Sequence, residues 1–225
     1  MRNQQQKKAV AKEAIDFIVK DEVIGVGTGS TVNFFIDELG KIKDCLKGAV
    51  TTSIESRNRL IDHGITVYEL NDIEFLPIYI DGADEINNNG VMIKGGGGAL
   101  TKEKIVANFA NDFICIVDES KFVNNLGTFP LPIEVVPMAE KSVCKSLIRM
   151  GGIPVTRKKE GKVFFTENSC IILDVKHIQL TNPNEVEFKI NMIPGVVNVG
   201  LFSYNSASIC LVGTNKGVIK KNFKR

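Results

Sequence analysis

The chain has 225 residues, 44% of them hydrophobic and 24% charged, with a formal net charge of +2 at pH 7. This length supports one or two domains, and the composition is that of an ordinary globular protein. Five basic residues lie in the last ten positions, and without them the chain has 23 basic and 26 acidic groups. A body of this charge speaks against a nucleic-acid binder. These five tail residues are Lys216, Lys220, Lys221, Lys224 and Arg225.

We expect this basic tail to be a frayed, solvated terminus, with contact to an anionic partner as the alternative. The five cysteines are widely spaced and form no Cys-x-x-Cys pair, which argues against a disulfide framework and against zinc. The first ten residues lack the apolar core of a signal peptide, and no apolar run reaches membrane-spanning length. The sequence therefore predicts a soluble cytoplasmic protein with neither a membrane nor a nucleic-acid partner.

Strands and helices are predicted to alternate over the first half of the chain. Apolar residues at helical spacing, from Val10 to Ile18, predict a helix over residues 4–20. The elements predicted after it are strands at 23–26, 49–51, 65–68, 78–80, 91–93 and 113–117, and helices at 32–47, 55–63 and 101–111. This alternation predicts an α/β fold, a Rossmann-like open parallel sheet with helices on both faces.

The order of predicted elements changes after Pro130 and Pro132. The later predictions are strands at 133–136, 153–156, 171–175 and 196–199, with helices at 139–150 and 184–190. The order βαββαβ predicts a smaller α+β unit of ferredoxin-like type, and the apolar stretch 207–212 is expected to return to the first sheet. We therefore predict a catalytic α/β domain at 1–129, completed by 204–225, and a small α+β domain at 130–203.

Acid-base side chains and glycines are concentrated in residues 81–103. The members of this cluster are Asp81, Asp84, Lys94, the four glycines Gly95–Gly98, and Glu103. Each half follows an apolar stretch, Ile78–Ile80 or Val91–Ile93. Open α/β folds bind ligands at the ends of buried strands, and glycines let backbone N–H groups approach an anion. The cluster predicts a catalytic pocket for a small, oxygen-rich, phosphorylated substrate.

Each part of the cluster also has a simpler interpretation. The sequence DGADE is compatible with a magnesium site or with a solvated turn, although Lys94 would repel a cation nearby. Lys94 before the glycines is suited to stabilising an oxyanion, with a surface turn as the alternative. Glu103 by itself is typical of a favourable charge at the start of a helix. Their occurrence together favours the catalytic interpretation, without a metal.

The segment Gly25–Thr31, GVGTGST, lies between a predicted strand and a predicted helix, where free N–H groups bind phosphate. The hydroxyls of Thr28, Ser30 and Thr31 would add donors, and the alternative is a tight turn with a helix N-cap. The segment is neither a G-x-G-x-x-G nor a Walker A sequence, which disfavours a nucleotide-dependent enzyme. Lys121 and Lys7 are candidates to neutralise the phosphate, or are simply solvated.

These segments together resemble ribose-5-phosphate isomerase of type A, in the family order from near residue 7 to about residue 218. The lysine-rich end after Gly217 is where the chain departs most from that pattern. The matching segments are IGVGTGST (24–31), IDGADEI (80–86), MIKGGGGA (92–99), LTKEKI (100–105), DESK (118–121), FPLPIEVVP (129–137) and IPGVVNVGLF (193–202).

The resemblance implies an aldose–ketose isomerase that interconverts D-ribose 5-phosphate and D-ribulose 5-phosphate in the pentose phosphate pathway, without metal or organic cofactor. Glu103 would be the general base, and Lys94 with the glycine backbone would stabilise a cis-enediolate. Asp81 would assist ring opening and hydroxyl proton transfer, and Asp84 would position the sugar hydroxyls. The implied substrate-binding residues are Thr28, Gly29, Ser30, Thr31, Gly82, Ala83, Gly95, Gly96, Gly97, Lys121 and Lys7.

A non-catalytic sugar-phosphate sensor on the same fold is the alternative from another class. Such sensors usually carry a DNA-binding helix-turn-helix, and the sequence has no spare segment for one. The general base, Glu103, is also present. We therefore expect an enzyme, and a homo-oligomer, with a dimer as the expected state.

Overall fold

The structure is a computed structural model that describes residues 2–223, so Lys224 and Arg225 of the basic tail lie outside the described residues. The helices are α1 (Arg2–Glu13), α2 (Ser30–Leu39), α3 (Ile54–Asp62), α4 (Leu100–Phe109), α5 (Glu140–Arg149) and α6 (Pro183–Asn191). The first strands are β1 (Val23–Val26), β2 (Gly48–Thr51), β3 (Ile78–Asp81), β4 (Glu85–Ile86), β5 (Met92–Ile93), β6 (Asp112–Asp118) and β7 (Leu131–Val135). The later strands are β8 (Ile153–Thr156), β9 (Lys158–Lys159), β10 (Lys162–Val163), β11 (Ile171–Lys176), β12 (Val196–Val199), β13 (Leu201–Phe202), β14 (Ile209–Thr214) and β15 (Gly217–Asn222). No helix within residues 2–223 is long and apolar enough to cross a membrane.

The chain folds into two compact units. The first unit contains the described residues up to Ala83, then Lys102–Phe122, then those from Asn205 onward. The second unit contains Asp84–Thr101 and Val123–Tyr204. Residues 84–101 thus group with the second unit, although they lie within the range 1–129 that the sequence analysis assigned to the catalytic domain. Compactness does not test where independently folding domains begin, so the boundaries at 1–129 and 130–203 remain a prediction.

The first unit contains a six-stranded sheet of order β15-β14-β6-β3-β1-β2. The five strands from β14 to β2 run parallel, and only β15 is antiparallel to its neighbour. The predicted open parallel sheet is therefore confirmed, as is the return of the 207–212 stretch to it as β14. Because parallel strands end at the same edge, the loops after β1, β3 and β6 lie side by side.

Alternating side chains cover the two faces of this sheet. On one face Ile24 and Ile80 belong to a buried apolar cluster with Val10 of α1 and Phe35 of α2. The other face includes Gly25, where an added Cβ would lie 3.1 Å from Val106 of α4. Helices therefore lie on both faces, as the sequence predicted.

The second unit contains a four-stranded antiparallel sheet of order β12-β7-β11-β8, which is the strand order of a ferredoxin-like unit. Apolar residues of α5 and α6, such as Leu147 and Ile190, are buried in one cluster with Ile133 and Leu173 of the sheet. A separate three-stranded sheet, β13-β5-β4, is also antiparallel. Met92–Ile93, the predicted strand before the glycines, therefore lies in this small sheet and not in the parallel one.

The prediction of a strand at residues 65–68 is wrong. This segment makes a single bridge, between Val67 and Ala49, before the chain enters a turn of 3-10 helix at Leu70–Asp72. Its backbone bonds to β2 involve Ala49 alone, which donates to Thr66 O at 2.8 Å and accepts from Tyr68 N–H at 2.9 Å, while Ile65 N–H donates back to Leu60 O of α3 at 3.0 Å. Apolar alternation identified a segment beside β2, but one bridge is too short a contact to extend the sheet.

The prediction of a frayed tail from Lys216 onward is also wrong for the described residues. Residues 217–222 form β15, which pairs with β14 along its whole length. Lys220 Nζ lies 4.7 Å from the ring centroid of Phe17, and Lys221 Nζ lies 4.6 Å from that of Phe122. Lysines on an edge strand are compatible with pairing on one side and discourage pairing on the other, so a basic composition did not prevent strand formation.

Candidate active site

Asp81 is fully buried at the end of β3, in the first unit. Its Oδ1 accepts hydrogen bonds from the N–H groups of Thr28, at 3.1 Å, and Gly82, at 2.7 Å. Its Oδ2 accepts a hydrogen bond from the hydroxyl of Tyr79. A Cβ added to Gly27 would lie 1.9 Å from the Asp81 carboxyl carbon, so only glycine fits there. The structure therefore brings Asp81 and the predicted phosphate loop together.

The loop at residues 27–31 has the features of an anion site. Gly29 has φ +107°, in the region that favours glycine. Helix α2 begins at the next residue, so the free N–H groups of its first turn and its positive end face this loop. Lys7 Nζ donates to Ser30 Oγ at 2.9 Å. The Thr28 hydroxyl lies 2.9 Å from that of Ser53. A cation, hydroxyls and a helix N-terminus thus converge, and Ser53 is a member that the sequence did not suggest.

Glu103 lies in the first turn of α4 and is only 4% exposed. Its charge and that of Asp81 act on the same group, the phenol of Tyr79. Burial raises the pKa of Tyr79 well above its usual value, and the negative charges of Asp81 and then Glu103 raise it further. Two acids of the predicted cluster therefore lie near one buried hydroxyl.

Lys121 ends the single turn of 3-10 helix that follows β6, at the same sheet edge as the loop. The preceding residue, Ser120, is held by Asp118, which accepts its N–H at 3.1 Å. Nearby, Gln6 Nε2 donates to Glu119 Oε1 at 2.8 Å, which places the start of α1 beside this turn. The structure thus places both candidate lysines, Lys7 and Lys121, on segments at one edge of the first unit.

Lys94 belongs to the second unit and follows β5. It is 3% exposed, and its Nζ lies 5.6 Å from the ring centroid of Phe202. Its backbone N–H donates to Gly200 O at 2.8 Å, and a Cβ on Gly200 would lie 2.2 Å from the Lys94 carbonyl oxygen. The backbone of Lys94 is therefore held by a close approach that only glycine permits.

The glycine run after Lys94 is fixed by side chains of the second unit. Asp84 Oδ2 accepts the N–H of Gly96 at 2.7 Å. Arg157 Nη1 donates to the carbonyls of Gly95, at 2.7 Å, and Gly96, at 3.0 Å. The same guanidinium donates to both carboxylate oxygens of Asp174, at 2.9 and 2.5 Å. A ligand can therefore reach the Gly96 N–H only by replacing the bond to Asp84.

The predicted site residues are divided between the two units. The first contains Asp81, Gly82, Ala83, Glu103, Thr28, Gly29, Ser30, Thr31, Lys7 and Lys121, and the second contains Asp84, Lys94, Gly95, Gly96 and Gly97. Sequence reasoning missed Tyr79 and Arg157. Tyr79 had a signal, because a residue two positions before Asp81 on a strand shares its face. Arg157 had none, since its partners are remote in sequence. Over residues 2–223, no three His, Cys, Asp or Glu residues are grouped as a metal site requires.

The first unit has a parallel sheet with buried acids and a loop before a helix N-terminus at its carboxyl edge, and the second unit is ferredoxin-like. Similar solved structures show that this combination belongs to the class of sugar-phosphate isomerases. Ribose 5-phosphate isomerase A from Neisseria gonorrhoeae matches with a TM-score of 0.95 and 42% identity, over 99% of this chain and 98% of that one. The enzyme from Methanocaldococcus jannaschii matches with a TM-score of 0.91 and 40% identity, over 97% of this chain and 98% of that one. A D-ribose-5-phosphate isomerase in complex with phospho-erythronic acid matches with a TM-score of 0.94 and 39% identity, over 99% of this chain and 100% of that one.

The family model for ribose 5-phosphate isomerase A (phosphoriboisomerase A) matches residues 48–217, which is more than half of the chain. The chain therefore belongs to the ribose 5-phosphate isomerase A family. The function and the family inferred from the sequence are confirmed at this level, and nothing in the comparisons favours a non-catalytic sensor.

Proposed function

We propose that Glu103 is the general base with which this isomerase interconverts D-ribose 5-phosphate and D-ribulose 5-phosphate. In the open-chain sugar, Glu103 removes the proton from C2 and returns it to C1, while a hydroxyl proton moves between O1 and O2. The reaction is a rearrangement, so no electron or atom is gained or lost. The observation that carries the proposal is that Glu103 is buried in the first turn of α4, near the phenol of Tyr79 that also bonds buried Asp81, whose carboxylate in turn bonds the loop that follows β1.

Asp81 and Asp84 are assigned different tasks. Asp81 assists ring opening and hydroxyl proton transfer, because its carboxylate is held next to Thr28 at the end of β3. Asp84 positions sugar hydroxyls and sets the orientation of the Gly96 peptide. Lys94 supplies positive charge for the enediolate, assisted by the N–H groups of Gly95 to Gly97. Gly82 and Ala83, which separate the two acids in the sequence, are assigned to substrate contacts.

The phosphate is assigned to Thr28, Gly29, Ser30 and Thr31, with Lys7 and Lys121. The helix N-terminus, the hydroxyls and the Lys7–Ser30 contact are the features that support this assignment. A solved relative is described in complex with phospho-erythronic acid, which also carries a phosphate. Binding a remote phosphate positions the reacting carbons and so contributes to the rate of the chemical step.

The test is isomerase activity in the presence of EDTA, measured for the wild type and for Glu103→Gln. We expect the substitution to lower kcat by roughly 1000-fold, since general-base catalysis supplies about 100- to 10000-fold, while sugar-phosphate binding measured by calorimetry persists. Glu55→Gln is a matched control, because Glu55 also lies in the first turn of a helix but is exposed. Wild-type turnover in Glu103→Gln would refute the assignment of the base. Binding without turnover in the wild type would favour the sensor.

We also propose that the protein acts in the cytoplasm, within the pentose phosphate pathway, as a homodimer. All five cysteines are free thiols, which fits a reducing compartment. Ile105 and Phe109, one turn apart on α4, are 51% and 39% exposed and provide apolar surface that a second copy could bury. Sedimentation of the purified chain tests the dimer, and a monomer at micromolar concentration would contradict it.

A further inference from the structure

Tyr79 is a polar group placed inside the apolar packing of the first unit. It lies on β3, two residues before Asp81, and is fully buried. Its strand neighbours Ile78 and Ile80 face the opposite side of the sheet, in the apolar cluster that contacts α1 and α2. A buried tyrosine requires a partner for its hydroxyl, and here that partner is the Asp81 carboxylate.

The ring of Tyr79 has little freedom to move. Its centroid lies 4.8 Å from that of Phe113, with the ring planes inclined by 48°. On β1, a Cβ added to Gly25 would come within 2.8 Å of Tyr79 Cδ2, so the glycine leaves the space that the ring occupies. These contacts fix the ring by packing on two neighbouring strands, and the hydroxyl therefore has a fixed position.

The direction of the hydrogen bond is also fixed. Burial opposes ionisation of the phenol most strongly, and the charges of Asp81 on its own strand and Glu103 on α4 add to this, which outweighs the smaller opposite effect of the Thr52 side chain, so the pKa of Tyr79 is raised. The hydroxyl therefore keeps its proton and donates it to Asp81 Oδ2, while the N–H groups of Thr28 and Gly82 donate to Oδ1. Three donors on both oxygens define the plane of the carboxylate.

We propose that Tyr79 is a positioning residue for catalysis, which holds the Asp81 carboxylate in the orientation needed for proton transfer. The proposal rests on the role of Asp81 in the proposed function. Tyr79 is buried behind Asp81 on the same face of β3 and acts on the sugar only through that carboxylate. Its removal should therefore affect the chemical step more than binding.

The test compares Tyr79→Phe, which keeps the ring and removes the hydroxyl, with the control Tyr68→Phe, which lies outside the site. We expect Tyr79→Phe to lower kcat by about 10- to 100-fold, the range of a hydrogen bond to a charged group, with KM changed less than three-fold. A change in kcat without a matching change in KM is the readout, because Tyr79 reaches the sugar only through Asp81. Tyr68→Phe should match the wild type in both quantities.

The outcomes separate the two hypotheses. A wild type without isomerase activity would refute the proposed function itself. An active wild type with Tyr79→Phe showing an unchanged kcat, or a fall in kcat/KM that comes from KM alone, would refute the role of Tyr79 alone. All assays are made well below the thermal unfolding midpoint of each variant. If Tyr79→Phe only lowers stability, kcat per folded molecule will stay unchanged, and this outcome would also refute the proposal. A second measurement is the tyrosinate absorbance near pH 10, which should have the same amplitude in wild type and Tyr79→Phe, because the pKa of Tyr79 is raised well above its usual value. A smaller amplitude in Tyr79→Phe would contradict the buried phenol, bonded to Asp81, on which the proposal rests.

Discussion

The two units fix their site residues in opposite ways. In the first, the backbone N–H groups of Thr28 and Gly82, with one hydroxyl, hold the side chain of Asp81. In the second, the side chains of Asp84 and Arg157 hold the backbone of the glycine run. A side chain needs donors to fix it, whereas a run of glycines has no side chains to pack and must be fixed from outside. We therefore expect the Asp81 site to be sensitive to added side-chain volume, and the glycine run to be sensitive to the loss of hydrogen bonds.

The largest effect is expected from Gly27→Ala in the first unit. The new Cβ would lie 1.9 Å from the Asp81 carboxyl carbon, so either the loop or the carboxylate must move. We expect loss of about 3 kcal/mol of unfolding free energy, at the upper end for overpacking, and a fall in kcat of at least about 100-fold. Urea unfolding and the isomerase assay measure the two effects.

Gly82→Ala is the control for stability, because a Cβ there meets only Ile116 O at 3.7 Å. Its unfolding free energy should stay close to that of the wild type. If Gly27→Ala were equally stable and active, the backbone around Asp81 would not be as rigid as the comparison requires.

A smaller effect is expected from Arg157→Ala in the second unit. The substitution removes both hydrogen bonds from Arg157 Nη1 to the glycine carbonyls and leaves the part-buried Asp174 without its guanidinium. We expect kcat to fall about 10-fold and the unfolding free energy by about 2 kcal/mol, between the values for exposed and buried pairs. Lys159→Ala, at an exposed position in the hairpin that follows Arg157, is the matched control.

Chemical rescue separates positioning from stability for this residue. Millimolar guanidinium, far below denaturing concentration, should restore part of the kcat of Arg157→Ala and leave Lys159→Ala unchanged. A variant that is destabilised but has full kcat would show that the glycine run keeps its geometry without Arg157.

The smallest effect is expected from Asp37→Asn, which removes an Arg–Asp pair on the surface of the first unit. Arg59 donates to both oxygens of Asp37, at 2.6 and 2.8 Å, as Arg157 does for Asp174, but both side chains are more than one third exposed. We expect a loss of less than about 1 kcal/mol at pH 7. This pair is the baseline against which the Arg157 result is judged.

The pH dependence of the Asp37 contribution has a definite sign. Partial burial raises the pKa of Asp37, but the hydrogen bonds from Arg59 and His63, with their charges, outweigh it and leave the pKa lowered. The stabilisation is therefore complete above the unfolded pKa of about 3.9 and is lost as the pH falls through the folded value. Thermal melts of wild type and Asp37→Asn should differ at pH 6 and converge as the pH falls. A difference that grows on acidification would contradict the shift.

Local patterns were sufficient to predict the two architectures, because each strand and helix needed an apolar face of the correct period. They failed where pairing depended on a distant partner. The segment at 65–68 alternates like a strand but bridges β2 only at Val67, and the lysines near the terminus concealed β15. Strand Met92–Ile93 is short and pairs antiparallel with β4 and β13. Because β13 lies more than one hundred positions further along the chain, this pairing could not be predicted from local sequence.

The candidate site shows the same limit. Asp81, Lys94 and Glu103 could be predicted as site residues because they are close in sequence and match a family pattern, and their roles remain a prediction. Arg157 contacts glycines 61 and 62 positions away, so no local spacing could have identified it. Tyr79 could have been found from strand periodicity, but its phenol was treated as part of an apolar strand.

The sheet of the first unit has a consequence for the order in which the chain folds during synthesis. Its strand β14 pairs with β6, yet the two are separated in sequence by the whole segment Val123–Tyr204 of the second unit. While the ribosome is still translating, the outer edge of β6 therefore has unpaired N–H and C=O groups beside a buried apolar strand. The second unit has all its residues before β14 and β15 emerge, so the nascent first unit is the one at risk of aggregation until translation ends.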